Sequence, residues 1–188
     1  MNFYFNKGLP KCSESNLEEF ELVWGRNRTA PDADGIKPVV LMAAFVTDEN
    51  QANELCLKWK LSNFDKTLCC FIAGHRNINE NNDDNLTGDR ILKPYQDLII
   101  RKGGAHIVEM VKQLLLYQGK SDKAQLIEQW KIPKFPITGS DLKKSGVKPG
   151  PSFGKLMNSL KEHWIESDFT LTKEVLLEES ERLKNHKS

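Results

Sequence analysis

Few side chains in this sequence stand in patterns that make or break bonds. Asp32 and Asp34 flank Ala33 as a D-x-D, and two carboxylates so spaced on a strand hold magnesium for phosphoryl transfer. Here they lie between Pro31 and Gly35 with no apolar strand before them, which reads as a polar turn. Gly103-Gly104 has the glycine content of a phosphate-cradling loop but lacks the preceding strand and the lysine of a P-loop, so it reads as a helix break. His163 lies near Glu166 without an H-E-x-x-H pattern and reads as a surface or packing histidine. No Ser, Cys or Lys is marked as an activated nucleophile, and no catalytic residue is assigned. Cys12, Cys56, Cys69 and Cys70 form no C-x-x-C pair, and the four histidines are scattered singly, so no metal ligands are assigned either. Within the apolar run Leu68 to Ala73, Cys69 and Cys70 read as small buried hydrophobes, and a reducing intracellular compartment suits them.

The charge pattern is more informative. Between Lys131 and Lys161 there are seven lysines and one acid, Asp141, a local net charge of +6 in a chain whose total is +1. Lysines on several short elements joined by a glycine turn are placed to meet successive phosphates. The turn adds backbone N–H groups, Gly150 permits close approach, and a helix opening at Pro151-Ser152 points its positive dipole end outward. Such an arrangement holds phosphate oxygens without reading bases. The candidate phosphate contacts are Lys143, Lys144, Lys148, Gly150, Ser152 and Lys155. The alternative is a solvated basic face with no ligand.

The elements that must position these residues are helical. Ser15 and Glu18 form a capping box before Leu17, Phe20, Val23 and Trp24. Pro38 suits the first turn of a second helix. Asp48 caps a third that buries Leu55, Cys56 and Trp59, and Ser62 with Asp65 opens a fourth that Gly74 stops. The segment Asn77 to Asp89 is almost entirely Asn, Asp, Glu, Gly and Thr; it buries too little apolar surface to offset its ordering entropy and reads as a solvent loop. Helices resume at Pro94, break at Gly103-Gly104, and run on through Ile107 to Gly119, after which Ser121 caps a shorter one carrying Leu126, Ile127 and Trp130. Pro133 and Pro136 mark a connector. Thr138 with Asp141 caps the next helix, Pro151 starts another with Phe153, Leu156, Met157, Leu160 and Trp164 inward, and a last one from about Thr172 carries Val175, Leu176 and Leu183. No segment alternates with period two. The fold class is all-α, an irregular bundle of about eight to ten short helices that depend on packing for their stability.

Composition excludes the other classes. The chain has 188 residues, 39% apolar and 28% charged, ordinary for a globular domain and far from collagen, coiled coil or wholesale disorder. The longest uncharged apolar run, Val39 to Thr47, is far short of the ~20 residues of a membrane helix, and Met1 to Pro10 carry no secretory signal pattern. No membrane partner is expected.

Two long motifs then identify a family. Phe135-Pro136-Ile137-Thr138-Gly139-Ser140-Asp141-Leu142, followed after three residues by Gly146-Val147-Lys148-Pro149-Gly150-Pro151-Ser152-Phe153-Gly154, strongly resembles the C-terminal signature of CCA-adding tRNA nucleotidyltransferases, the class shared by bacteria and eukaryotes. Leu92-Lys93-Pro94-Tyr95-Gln96-Asp97 is similar to the animal, organelle-type members, and Leu116-Tyr117-Gln118-Gly119, Trp130 to Pro136 and Gly8-Leu9-Pro10 fit the same pattern.

The resemblance implies a seahorse-shaped enzyme of head, neck, body and tail that adds C, C and A to tRNA 3′ ends from CTP and ATP. By it, residues 1–15 are a remnant of the neck's end, 16–131 the helical body and 132–188 the helical tail. Neither a Gly-Gly or Gly-Ser strand leading to a D-x-D nor a Glu-Asp-x-x-Arg element is present. Asp32 and Asp34 therefore do not inherit the catalytic role, and magnesium, CTP and ATP belong to a head outside this chain. The implied partners are tRNA, held at its acceptor stem and elbow largely by shape and backbone, and the head and neck of the same enzyme. The implied location is mitochondrial, cytosolic-nuclear or both. The alternative is a free-standing RNA- or partner-binding module derived from that tail.

Overall fold

The structure, a computed structural model, describes residues 13–28, 35–78 and 88–185. Asp32, Asp34, Cys12 and most of the Asn77 to Asp89 segment lie outside them. The described residues form ten α-helices and no strand: α1 (Glu14–Arg28), α2 (Pro38–Met42), α3 (Glu49–Lys58), α4 (Asn63–His75), α5 (Lys93–Lys102), α6 (Ile107–Tyr117), α7 (Ser121–Gln129), α8 (Gly139–Lys144), α9 (Pro151–Glu166) and α10 (Lys173–Asn185). Two short 3-10 turns, Ala43–Phe45 and Gly88–Leu92, lead out of α2 and into α5. The chain divides into two compact units, Met1–Trp130 and Lys131–Ser188.

In the first unit one apolar core is built from α1 to α7. Val40, Ala43, Ala44, Leu68, Cys69, Ile72, Tyr95, Val111, Leu114, Leu115 and Ile127 are fully withdrawn from water. Burial pushes the Cys69 thiol far up and the Cys56 thiol up, so both stay protonated and serve as small core residues. Side-chain amides satisfy the backbone where helices cross. Asn16 of α1 donates to the Ala44 carbonyl (3.0 Å) and Asn27 to that of Leu116 (3.2 Å).

Polar groups weld the unit across long sequence separations. Arg76, one residue past α4, donates through Nη1 to both Glu19 carboxylate oxygens (3.3 Å each) and to the Ala43 carbonyl (3.0 Å). Its Nη2 donates to the carbonyls of Val46 (2.8 Å) and Thr47 (3.0 Å). The Tyr117 hydroxyl of α6 donates to Glu19 as well. Burial and this carboxylate neighbour raise the Tyr117 hydroxyl far above its usual range. Gln118 donates to the Arg76 carbonyl (2.7 Å) and accepts from the Tyr95 hydroxyl (2.6 Å). Tyr95, Tyr117 and Gln118 therefore act in this network.

Several expectations need correction. α1 is capped by Ser13 rather than Ser15: Asn16 N–H donates to Ser13 Oγ (3.2 Å) and Ser13 N–H to Asn16 Oδ1 (3.1 Å). Burial of Asn16 against Ala44 fixes that frame, and Leu17 and Trp24 are left exposed. Gly74 does not stop α4, which runs on to His75; a Cβ there would meet the Glu49 side chain at 2.1 Å, so the glycine admits α3's first turn. Ser121 is the first helical residue of α7, whose cap is Lys120, and Leu126 and Val175 are exposed. Gly88 and Asp89 begin a 3-10 turn rather than extending the loop.

The third helix also departs from expectation. Trp59 is not buried but 49% exposed, and Leu57 beside it is 59% exposed. α3 ends in a Schellman closure, with Leu61 N–H donating to the Cys56 carbonyl (3.1 Å) and Lys60 N–H to that of Leu57 (3.3 Å). This geometry requires a left-handed residue between Trp59 and Leu61, a place glycine fills most cheaply. Lys60 occupies it at φ 53°. Lys60→Gly is expected to stabilise the protein by about 0.5–1 kcal/mol, the cost of a Cβ in that region less glycine's greater unfolded-state entropy. Urea denaturation midpoints measure it, and a lower midpoint would refute the strain.

Candidate nucleic-acid interface

The second unit builds a lysine-lined turn. Ile137, Leu142, Leu160, Trp164, Ile165 and Leu176 form its core, and Trp164 takes Phe135 and Phe169 edge-on at ring distances of 5.4 and 5.1 Å. Thr138 caps α8 in a complete capping box: Asp141 N–H donates to Thr138 Oγ1 (3.4 Å) and Thr138 N–H to Asp141 Oδ2 (2.9 Å). Asp141 also receives the Lys173 ammonium of α10 at 2.6 Å, a partner that sequence spacing could not reveal. α8 closes on Gly146 at φ 80°, where Val147 N–H donates to the Leu142 carbonyl and Gly146 N–H to that of Lys143, both at 3.0 Å. A Cβ on Gly139 would sit 3.6 Å from the Phe153 ring, so the two halves of the long motif fold against each other.

This frame sets out the predicted contact residues. Lys143 and Lys144 occupy the last turn of α8, Lys148 the turn, and Gly150, Ser152 and Lys155 the start of α9. All six are exposed. None of the four lysines takes part in an ion pair with another described residue, whereas Lys173 is spent on Asp141. Gly150 caps α9 at φ 156° with no side-chain hydrogen bond, and Pro151 follows it inside the helix. Asp48, Ser62 and Thr138 bond their helices' first amides, whereas α2, α5, α6 and α7 share with α9 a cap that makes no side-chain hydrogen bond. The first turn of α9 thus keeps its positive end open beside exposed ammonium groups, an arrangement that attracts phosphate oxygens. His163 lies near Glu179 of α10 (3.8 Å) and does not join this face.

Asp141 is the electrostatic keystone of the α8 end. Its hydrogen bond from Lys173, and then those from Thr138, hold its carboxyl well below the usual carboxylate range. A carboxyl whose native pKa is depressed adds stability that is full above its unfolded value of about 3.9 and fades as pH falls through the native one. We therefore expect the second unit to lose stability below about pH 4, with Asp141→Asn less stable than the parent at pH 7 and less sensitive to acid. Thermal melts from pH 7 to pH 3 decide it; parallel curves for the two proteins would remove Asp141 from the account.

No group of three or more His, Cys, Asp or Glu side chains able to hold a metal ion occurs among the described residues, and none of their helices is long and apolar enough to cross a membrane.

Comparison with known proteins agrees with the long motif. The profile of a family described as tRNA nucleotidyltransferase domain 2 matches residues 38–179. The protein named CCA tRNA nucleotidyltransferase 1, mitochondrial, is 34% identical over 172 residues in Homo sapiens and 33% over 172 in Mus musculus. Its Danio rerio counterpart is 29% identical over 171 residues. Each match covers 90% of this chain but only 37% of the relative. With a family match over most of its length and both halves of the motif folded together, this chain belongs to the tRNA nucleotidyltransferase domain 2 family.

Proposed function

We propose that this chain is the tRNA-binding body and tail of a CCA-adding enzyme. In this reading Lys143, Lys144, Lys148 and Lys155, with the backbone at Gly150 and Ser152, hold phosphates of the acceptor stem and elbow. The observation that carries it is the convergence of the family motif on an exposed, uncapped, lysine-lined turn. A-form helices are met mainly at phosphates and 2′-hydroxyls, and the turn offers ammonium and amide donors of that kind. Nucleotide transfer, with its magnesium, CTP and ATP, falls to a head that this chain does not supply, and the head and neck are its protein partners. The name shared by the relatives supports action in mitochondria.

The reading is tested by filter binding of the pure chain to tRNA with labelled CTP present. Affinity should fall steeply between about 50 and 200 mM salt, as counterion release requires, and no label should enter the tRNA. Salt-independent binding would remove the phosphate interface. Incorporation of CTP would place the catalytic groups within this chain.

A further inference from the structure

The corner between α3 and α4 carries the features of a second ligand surface, distant in sequence from the lysine-lined turn. Leu57 is 59% and Trp59 49% exposed, with Lys58 and Lys60 exposed on either side of the tryptophan. From Leu57 to Phe64 there is no acid. Glu54 lies four residues before Lys58, and Asp65 is tied to the Ser62 hydroxyl at 2.7 Å. Lys60 keeps a backbone conformation that favours glycine, and its ammonium forms no ion pair with a described residue. A strained residue held at an exposed corner points to a task for its side chain.

The other half-exposed tryptophan on a helix, Trp24, is differently placed. It stacks on Phe20 at 6.4 Å, in a helix that opens with Glu14, Glu18, Glu19 and Glu21, which repel phosphates. The two surroundings differ in charge: acids fill the first two turns of α1 and Arg26 and Arg28 its last, so Trp24 lies among charges of both signs, whereas the Trp59 corner has lysines alone on either side.

We infer that Trp59 is a stacking platform for an unpaired nucleotide of bound RNA, with Lys58 and Lys60 meeting the phosphates on either side of the stacked base. The inference rests on the reading of this chain as an RNA-binding one, and it adds a contact of another kind. An aromatic face takes any base and needs it splayed from a helix, whereas the lysine-lined turn takes backbone in any helix.

The test is fluorescence anisotropy with a short single-stranded oligoadenylate and with a short RNA duplex, using the full chain. Trp59→Ala should lower affinity for the single strand about tenfold and leave duplex binding unchanged, while Trp59→Phe stays within about threefold of the parent. Lys60→Gly should weaken single-strand binding severalfold while its unfolding midpoint rises, a pairing that loss of fold cannot produce. Unchanged single-strand affinity in Trp59→Ala overturns the inference and leaves the corner to a protein partner. Equal losses on single strand and duplex overturn it too, because a stacking platform discriminates between them. Lys143→Glu with Lys148→Glu, measured on tRNA alongside, separates the two readings. If that variant binds like the parent while Trp59→Ala is impaired, the tail interface fails and the platform stands. If the parent binds neither RNA, both fail.

Discussion

Exchanging Lys143 and Lys148 together for glutamate should lower tRNA affinity by on the order of tenfold per lysine at moderate salt, and flatten the slope of log K against log salt by about one unit per lost phosphate contact. The two side chains lie on different elements, the end of α8 and the turn before α9. They would meet phosphates at separate places, so their effects should add. Both are exposed and outside every described ion pair, so far-ultraviolet circular dichroism and thermal melts should hardly change. Replacement by arginine should keep most of the affinity, because phosphate accepts either cation. Equal binding of the doubly reversed protein at low salt would remove this face from the interface, whatever else binds RNA.

Arg76→Ala should have the largest effect on stability, about 3–4 kcal/mol. The Arg76 side chain is only 11% exposed, and its guanidinium satisfies three carbonyls that end α2 and lead into α3, together with Glu19 of α1. Truncation leaves those acceptors facing a void and takes the cation from a carboxylate that is itself two-thirds buried. Removing one member of a buried pair costs about 3–5 kcal/mol, and a partly solvated partner brings the figure toward the lower end. Against a typical total of about 5–15 kcal/mol that is a large share. Arg76→Lys should fall between, since one ammonium cannot reach both sides of the fork. Tyr117→Phe should cost only about 1 kcal/mol, because Glu19 keeps the arginine. Urea unfolding followed by tryptophan fluorescence ranks the three; a mild Arg76→Ala would mean that water replaces the guanidinium.

The features legible in the sequence were those set by neighbours. Ser62 and Asp65, Thr138 and Asp141, and Asp48 before its helix lie within three residues of the amides they bond, and each sits as its spacing implied. Gly103 and Gly119, both at positive φ, end helices for the same local reason. Where two local solutions competed, only packing chose. Ser13 with Asn16 and Ser15 with Glu18 both fit a capping box, and Asn16 won because its amide reaches Ala44, 28 residues away.

Apolar periodicity misled where a helix ends: Trp59 falls on the cap of α3, past the turn that faces the core. Gly74 misled because the same residue serves helix ends and close approaches, and Glu49 lies 25 positions upstream. The candidate interface was legible as composition and turn chemistry. Its Asp141–Lys173 brace, 32 residues apart, was not, and nor was the Arg76 network, since an ion pair across a fold leaves no spacing to read.

The bond between Tyr117 and Glu19 spans 98 residues, and that span sets a clock. On a ribosome adding about 5–20 residues per second, α1 emerges roughly 5–20 s before the helix that receives it. A lone helix of 15 residues is marginal in water, and its amides Asn16 and Asn27 await acceptors on Ala44 and Leu116. The first of those waits ends with the Ala43–Phe45 turn that follows α2. The second lasts until α6 is made, so this unit closes late in its own synthesis, with α1 locked only after five further helices have followed it.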